Sequence, residues 1–229
     1  MFASICFVLG CIAVISTGSR ASWVSIVVVL LALVLVGAWR GWVRRRILVL
    51  LFIVTLIIAG VFYPAIHTRL TTYDRGSARS RIVMFRLAWN VIKANPWFGV
   101  GANNYALVAR DYYTSDVGEY DDVLLYVIDQ AVHNAYLLMW AEIGLFGFIM
   151  YLSFLLVPLI QAWYYIRSDD RFLSMMAIGL GCAIVAMGIQ MLVEHFSPRP
   201  STIFVWLLVS LVASLRNLEM DENETLASC

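Results

Sequence analysis

The chain has 229 residues, a formal net charge of +1, 62% hydrophobic residues and a mean hydropathy of +0.84. Its apolar share is well above that of an ordinary soluble domain, and its near-neutral charge gives no general attraction to nucleic acid or anionic surfaces. The apolar residues come in blocks long enough to cross a hydrocarbon core of about 30 Å, so the chain reads as an integral membrane protein with helical spans.

In chain order the candidate spans are 2–17, 22–39, 47–63, 135–160, 172–194 and 202–216. The first has no basic segment ahead of it and so reads as a span rather than a secretory signal; a chain that starts inside a helix suggests that sequence upstream is missing. TGSRASW joins the first two spans and holds Arg20. An arginine at the membrane surface can snorkel to headgroups, yet the positive-inside bias disfavours one in a short outside turn, so Arg20 calls for a partner. Arg40, Arg44, Arg45 and Arg46 crowd the next loop and place it in the cytoplasm. Alternation then puts 17–21, the long segment 64–134 and 198–201 outside, with both termini inside. Cys6, Cys11 and Cys182 lie in spans and Cys229 in the tail, none at metal-ligand spacing, so neither a disulfide nor a metal site is expected. The domains are then three spans in 1–63, an external loop over 64–134, three spans in 135–216 and an acidic, disordered tail in 217–229.

A loop as long as 64–134 is usually functional. Its stretch SARSRIVMFRLAWNVIKANPW predicts a helix from near Ser80 to Asn95-Pro96, because the residue before proline leaves the helical region. At about 100° per residue, Arg79, Arg86, Asn90 and Lys93 share one face. Ile82, Phe85, Ala88, Trp89 and Ile92 form an opposite apolar face, and Arg81 falls with them. An arginine there must meet an anion or snorkel out, whereas Arg86 reads as part of a solvated face. PWFGVGANNY follows, and Gly99 and Gly101 mark a tight turn. As a phosphate cradle the motif is weak: Asn104 stands where a dinucleotide fingerprint needs glycine, and no strand precedes it. GEYDDVLLYVIDQ reads as solvated loop and amphipathic helix, with a cation site on Glu119, Asp121 and Asp122 as the alternative.

The fourth span opens with HNAYLLMWAEIGLFG. A polar pair heading an apolar helix is either solvated at the membrane surface or chemical. A lone histidine there is more often a cap or an interfacial residue, but topology sets Arg20, Arg81 and His133 on one side of the membrane near one depth. Arginine forks grip phosphate bidentately, and a histidine that titrates near neutrality can take a proton from a hydroxyl. The set suggests transfer from a lipid-linked phosphate ester. Glu142 reads as a helix-packing carboxyl, hydrogen-bonded or protonated. Glu194 and His195 end the fifth span on the outer side, where they line the same site or simply sit at the interface.

Three stretches, TGSRASW, SRIVMFRLAW through NPWFGVGANNY, and HNAYLLMWAEIGLFG, together resemble the O-antigen ligase / Wzy-type polymerase superfamily of bacterial membrane glycosyltransferases. The third fits that family's pattern of histidine, a small polar residue and two spaced glycines in His133, Asn134, Gly144 and Gly147. The resemblance implies a GT-C-like, all-α membrane fold of about six transmembrane helices here, with one large helical periplasmic loop. It implies a polyprenyl-diphosphate-linked glycan donor, a location in the bacterial inner membrane and no metal or other cofactor. It makes Arg20 and Arg81, with Arg86 in a second tier, the binders of the donor diphosphate. His133 is then the catalytic base for an inverting attack by the acceptor hydroxyl, with Asn134 supporting it. The acceptor stays open between a lipid A-core, a growing polysaccharide and a protein hydroxyl, which would set the role in lipopolysaccharide and cell-envelope biosynthesis. Family members usually have more spans, so the chain resembles their C-terminal half, with an N-terminal half missing. A non-catalytic membrane subunit and a transporter component are the competing readings. A transporter would show broken helices or paired ionisable residues at mid-membrane, whereas here the charges gather at one interface.

Overall fold

The computed structural model describes residues 9–10, 13–14, 19–41, 63, 77–114, 130–194 and 199–227, and every regular element among them is helical. It divides into two compact units, Met1–Asp74 and Arg75–Cys229.

In the first unit, helix α1 spans Arg20–Trp39. Ser19 caps it, its hydroxyl accepting from the Ser22 amide at 3.4 Å, and Arg40 and Gly41 end it, Gly41 taking a φ of 69°. That left-handed residue just past a helix is a stop that glycine makes without steric cost. The helix is apolar all round, and Val24, Val27, Leu31 and Leu35 stay exposed, as suits a helix surrounded by lipid tails rather than water.

The second unit opens with α2, Ser77–Ala94, followed by the short α3, Tyr105–Val108, and a 3₁₀ turn over Ala109–Tyr112. The long helix α4 covers Ala135–Tyr165, α5 covers Arg171–Gln190 and α6 covers Arg199–Ala227. Asp170 caps α5, its carboxylate accepting from the Phe172 and Leu173 amides at 2.9 and 3.0 Å. α4, α5 and α6 pack on one another, and α2 packs on α4. At one α4–α5 contact, a β-carbon on Gly181 would come within 3.3 Å of the Ala162 methyl. Small residues of this kind let helices approach where no hydrophobic drive separates them from lipid.

α1, α4 and α5 are long and apolar enough to cross a membrane, and the apolar part of α6, Thr202–Asn217, is shorter. Three of the six expected spans are thus present as full-length helices among the described residues. The expected spans 2–17 and 47–63 lie almost wholly outside the described residues, as do Glu119, Asp121, Asp122 and His195. α6 does not stop with its apolar part: the backbone stays helical through the acidic stretch to Ala227. Leu, Glu, Met and Ala are good helix formers, and extending an existing helix avoids the cost of nucleation.

Among the described residues, apolar clusters of the second unit tie its helices together. One joins Val83, Met84, Leu87, Ala88, Val91 and Ile92 of α2 to Tyr105, Ala109, Val132 and the first turns of α4 through Leu138 and Ala141. Another gathers Ala135, Leu155, Met191 and Val205.

Candidate functional site

The head of α4 is built by Asn134 and its neighbours. Asn134 has extended backbone, and its Oδ1 accepts from the Leu137 amide at 2.9 Å, a helix N-cap. Its Nδ2 donates to the Leu192 carbonyl at 3.0 Å, and the Ala135 amide donates to the Met191 carbonyl at 2.9 Å. In the same turn, the Tyr136 hydroxyl donates to the Gly188 carbonyl at 3.0 Å. The start of α4 is thereby fixed to the end of α5, and one buried amide side chain serves both helices.

His133 sits at the centre of a three-residue turn, closed by a 2.7 Å bond from the Asn134 amide to the Val132 carbonyl. Val132 is fully buried and Asn134 nearly so. With both neighbours held inward, the imidazole projects at the rim, its side chain 34% exposed and Nδ1 3.4 Å from a Glu194 carboxylate oxygen. That is ion-pair range rather than a short hydrogen bond. Glu194 follows the turn that ends α5, so the bonds at Met191 and Leu192 also set where its carboxylate stands.

The glycine-rich stretch does something other than cradle phosphate. α4 is broken at Gly144, whose φ of 67° and ψ of −174° leave the helix, so the stretch expected as a continuous span is two helical pieces. The break exposes backbone groups, and PWFGVG meets them. The Val100 amide donates to Ala141 at 2.9 Å, Gly101 donates to Glu142 at 2.8 Å, and the Leu145 amide donates to Pro96 at 2.9 Å. Trp140 Nε1 adds a 3.3 Å bond to the same Pro96 carbonyl. Gly99 and Gly144 both have positive φ, and a β-carbon on either would collide with the facing backbone. The Val100 and Gly101 amides are committed to carbonyls and are not free to bind an anion. Glu142 is buried, and its Oε1 accepts from the Tyr105 amide at 3.3 Å, the hydrogen-bonded packing carboxyl that its position suggested. Burial also pushes the Tyr105 hydroxyl up from the ordinary phenol range.

α2 carries the candidate phosphate binders, and its buried stripe is rotated from the expected one. Val83, Met84, Leu87 and Val91 join Ala88 and Ile92 in the core, while Ile82, Phe85 and Trp89 are more than 40% exposed. Ranking apolar residues by angle alone could not tell those facing protein from those facing outward. Arg81 lies in the first turns and is exposed rather than docked, and Arg86 is half-buried. Asn90 anchors the helix, donating to the Tyr112 carbonyl at 3.3 Å and to the Thr114 hydroxyl at 2.8 Å.

Arg81, Arg86, His133 and Asn134 thus belong to one unit, and Arg81 and His133 each stand within two residues of a member of one core, Val83 and Val132. Arg20 is the first residue of α1 in the other unit. The Glu194 carboxylate beside His133 is the feature that sequence reasoning left undecided; its one signal was a place on the same membrane side. Among the described residues, no group of three His, Cys, Asp or Glu side chains could hold a metal ion.

A family model described as O-antigen ligase matches residues 5–152, which includes Arg20, Arg81, Arg86, His133 and Asn134. No curated protein and no solved structure matches the chain.

Proposed function

Because the chain belongs to the O-antigen ligase family, we propose that it transfers a glycan from an undecaprenyl-diphosphate-linked donor to an acceptor hydroxyl at the periplasmic face of the bacterial inner membrane. The observation that carries the reading is His133, a part-exposed imidazole at the head of an apolar helix, with buried neighbours and a carboxylate beside it. A base has to be reachable by the proton it removes and oriented by what surrounds it, and this arrangement supplies both.

In this mechanism Arg20 and Arg81, with Arg86 as a second-tier candidate, each bind the donor diphosphate and stabilise its growing charge as it leaves. His133 takes the proton of the acceptor hydroxyl while that oxygen attacks the anomeric carbon from the face opposite the diphosphate, so configuration inverts. Asn134 keeps the turn that presents the imidazole. The exposed Arg81 suits a residue that waits for an anion from outside the protein. Arginine supplies the positive charge here, so the mechanism needs no metal.

The test is complementation. The chain, alone and in an upstream-extended version, is expressed in cells lacking their own ligase or polymerase, and the surface glycan is run on a gel. A ladder that needs His133 supports the transferase, and its length pattern separates ligation from polymerisation. A ladder that persists in His133→Ala removes the base. A non-catalytic subunit would restore nothing that depends on either His133 or Arg20.

A further inference from the structure

We propose that Glu194 is a positioning residue for the transfer reaction: its carboxylate orients the His133 ring through Nδ1 and stabilises the imidazolium that forms when Nε2 takes the acceptor proton. This rests on the reading of His133 as the base.

Two side chains 3.4 Å apart on the surface of a protein usually mean little. Here the proximity is set by the backbone. His133 is held by the turn between buried Val132 and Asn134, and Glu194 by the turn that closes α5. The two turns are joined by the Ala135–Met191 and Asn134–Leu192 bonds. The register between them cannot slip without breaking both, so the backbone holds the carboxylate within ion-pair distance of Nδ1. A negative carboxylate on that side of the ring favours the proton on Nδ1 over Nε2, which leaves Nε2 as the acceptor, the tautomer a general base requires. The transfer then balances: the acceptor O–H bond breaks as its proton moves to Nε2, the new O–C bond forms, and the C–O bond to the diphosphate breaks with its electron pair leaving on phosphate. A positive ring beside a negative carboxylate is favoured over one beside a neutral group, so the gain is greatest in the transition state.

The test uses membranes from ligase-deficient cells expressing the chain, supplied with an undecaprenyl-diphosphate-linked oligosaccharide and lipid A-core. Glu194→Gln should lower kcat at least about 10-fold, the lower end of the loss when the carboxylate partner of a metal-bound histidine is removed, with about 10⁴-fold as the upper bound set by the buried carboxylate of a catalytic triad. Its KM for the donor should stay near wild type, and Glu194→Asp should recover most of the rate because the carboxylate returns. In a His133→Ala background, Glu194→Gln should add no further loss, since it acts through the missing ring. Wild-type kcat in Glu194→Gln with an inactive His133→Ala overturns the role of Glu194 and leaves the base standing. Wild-type rate in His133→Ala overturns the base itself. Equal losses in Glu194→Gln and Glu194→Asp, accompanied by less protein in the membrane, reduce Glu194 to a structural contact and also overturn the proposal.

Discussion

A β-carbon on Gly144 would meet the Trp97 carbonyl, and one on Gly99 would meet that of Glu142, so two backbones touch where any other residue would hold them apart. Both glycines have positive φ. Gly144→Ala therefore combines the strain of a backbone conformation open essentially only to glycine, about 1–3 kcal/mol, with overpacking of about 1–3 kcal/mol. It should lower the unfolding temperature in detergent sharply, while Gly179→Ala, where a β-carbon meets open space, should not. Asn134 offers a finer dissection. Asn134→Ala loses the cap, worth about 0.5–2 kcal/mol, and the donor to Leu192. Asn134→Ser keeps a capping oxygen and loses the donor to Leu192, so thermal unfolding should place it between alanine and wild type. If serine unfolds like alanine, the tie to Leu192 rather than the cap dominates at that residue. At Arg81 the prediction is functional. Arg81→Lys keeps the charge but loses the two-pronged donor geometry, and a charged hydrogen bond worth about 1.5–3 kcal/mol corresponds to a fall of about 10–100-fold in transfer rate. Wild-type transfer in Arg81→Lys would contradict its grip on diphosphate.

At the scale of the element, what the sequence revealed depended on how local the physics was. The end of the helix expected from near Ser80 was legible because Asn95-Pro96 stops it, although it starts earlier, at Ser77, and the capping weighed for His133 is carried out by its neighbour Asn134. The face that α2 buries was not legible: its exposed flank carries Ile82, Phe85 and Trp89, as apolar as the buried one, and only the presence of α4 decides between them. The break in α4 was hidden for a related reason. A glycine inside an apolar helix is tolerated on its own, and it becomes a break only when another segment arrives to bond the freed groups, as Pro96, Val100 and Gly101 do. The Glu194–His133 contact depends on the packing of α4 against α5 and left no trace in local pattern.

For the whole molecule, the spacing of His133, Asn134, Gly144 and Gly147 acquires a physical reading. The first two residues present an imidazole at the end of α5, and Gly144 breaks the helix so that the PWFGVG segment following α2 can dock. The same docking fixes α2 on the first turns of α4, and with it the helix that carries Arg81 and Arg86. Family membership joins with the proposed base at a helix head and the proposed anion binders on an attached helix in one account of transfer from a lipid-linked substrate. The measurement that tests it most directly is transfer from an undecaprenyl-diphosphate-linked glycan by membranes carrying either the wild-type chain or His133→Ala at equal abundance. The account predicts product from the first and a loss of about 10²–10⁴-fold in the second, the range a general base contributes. Equal product from both would contradict it.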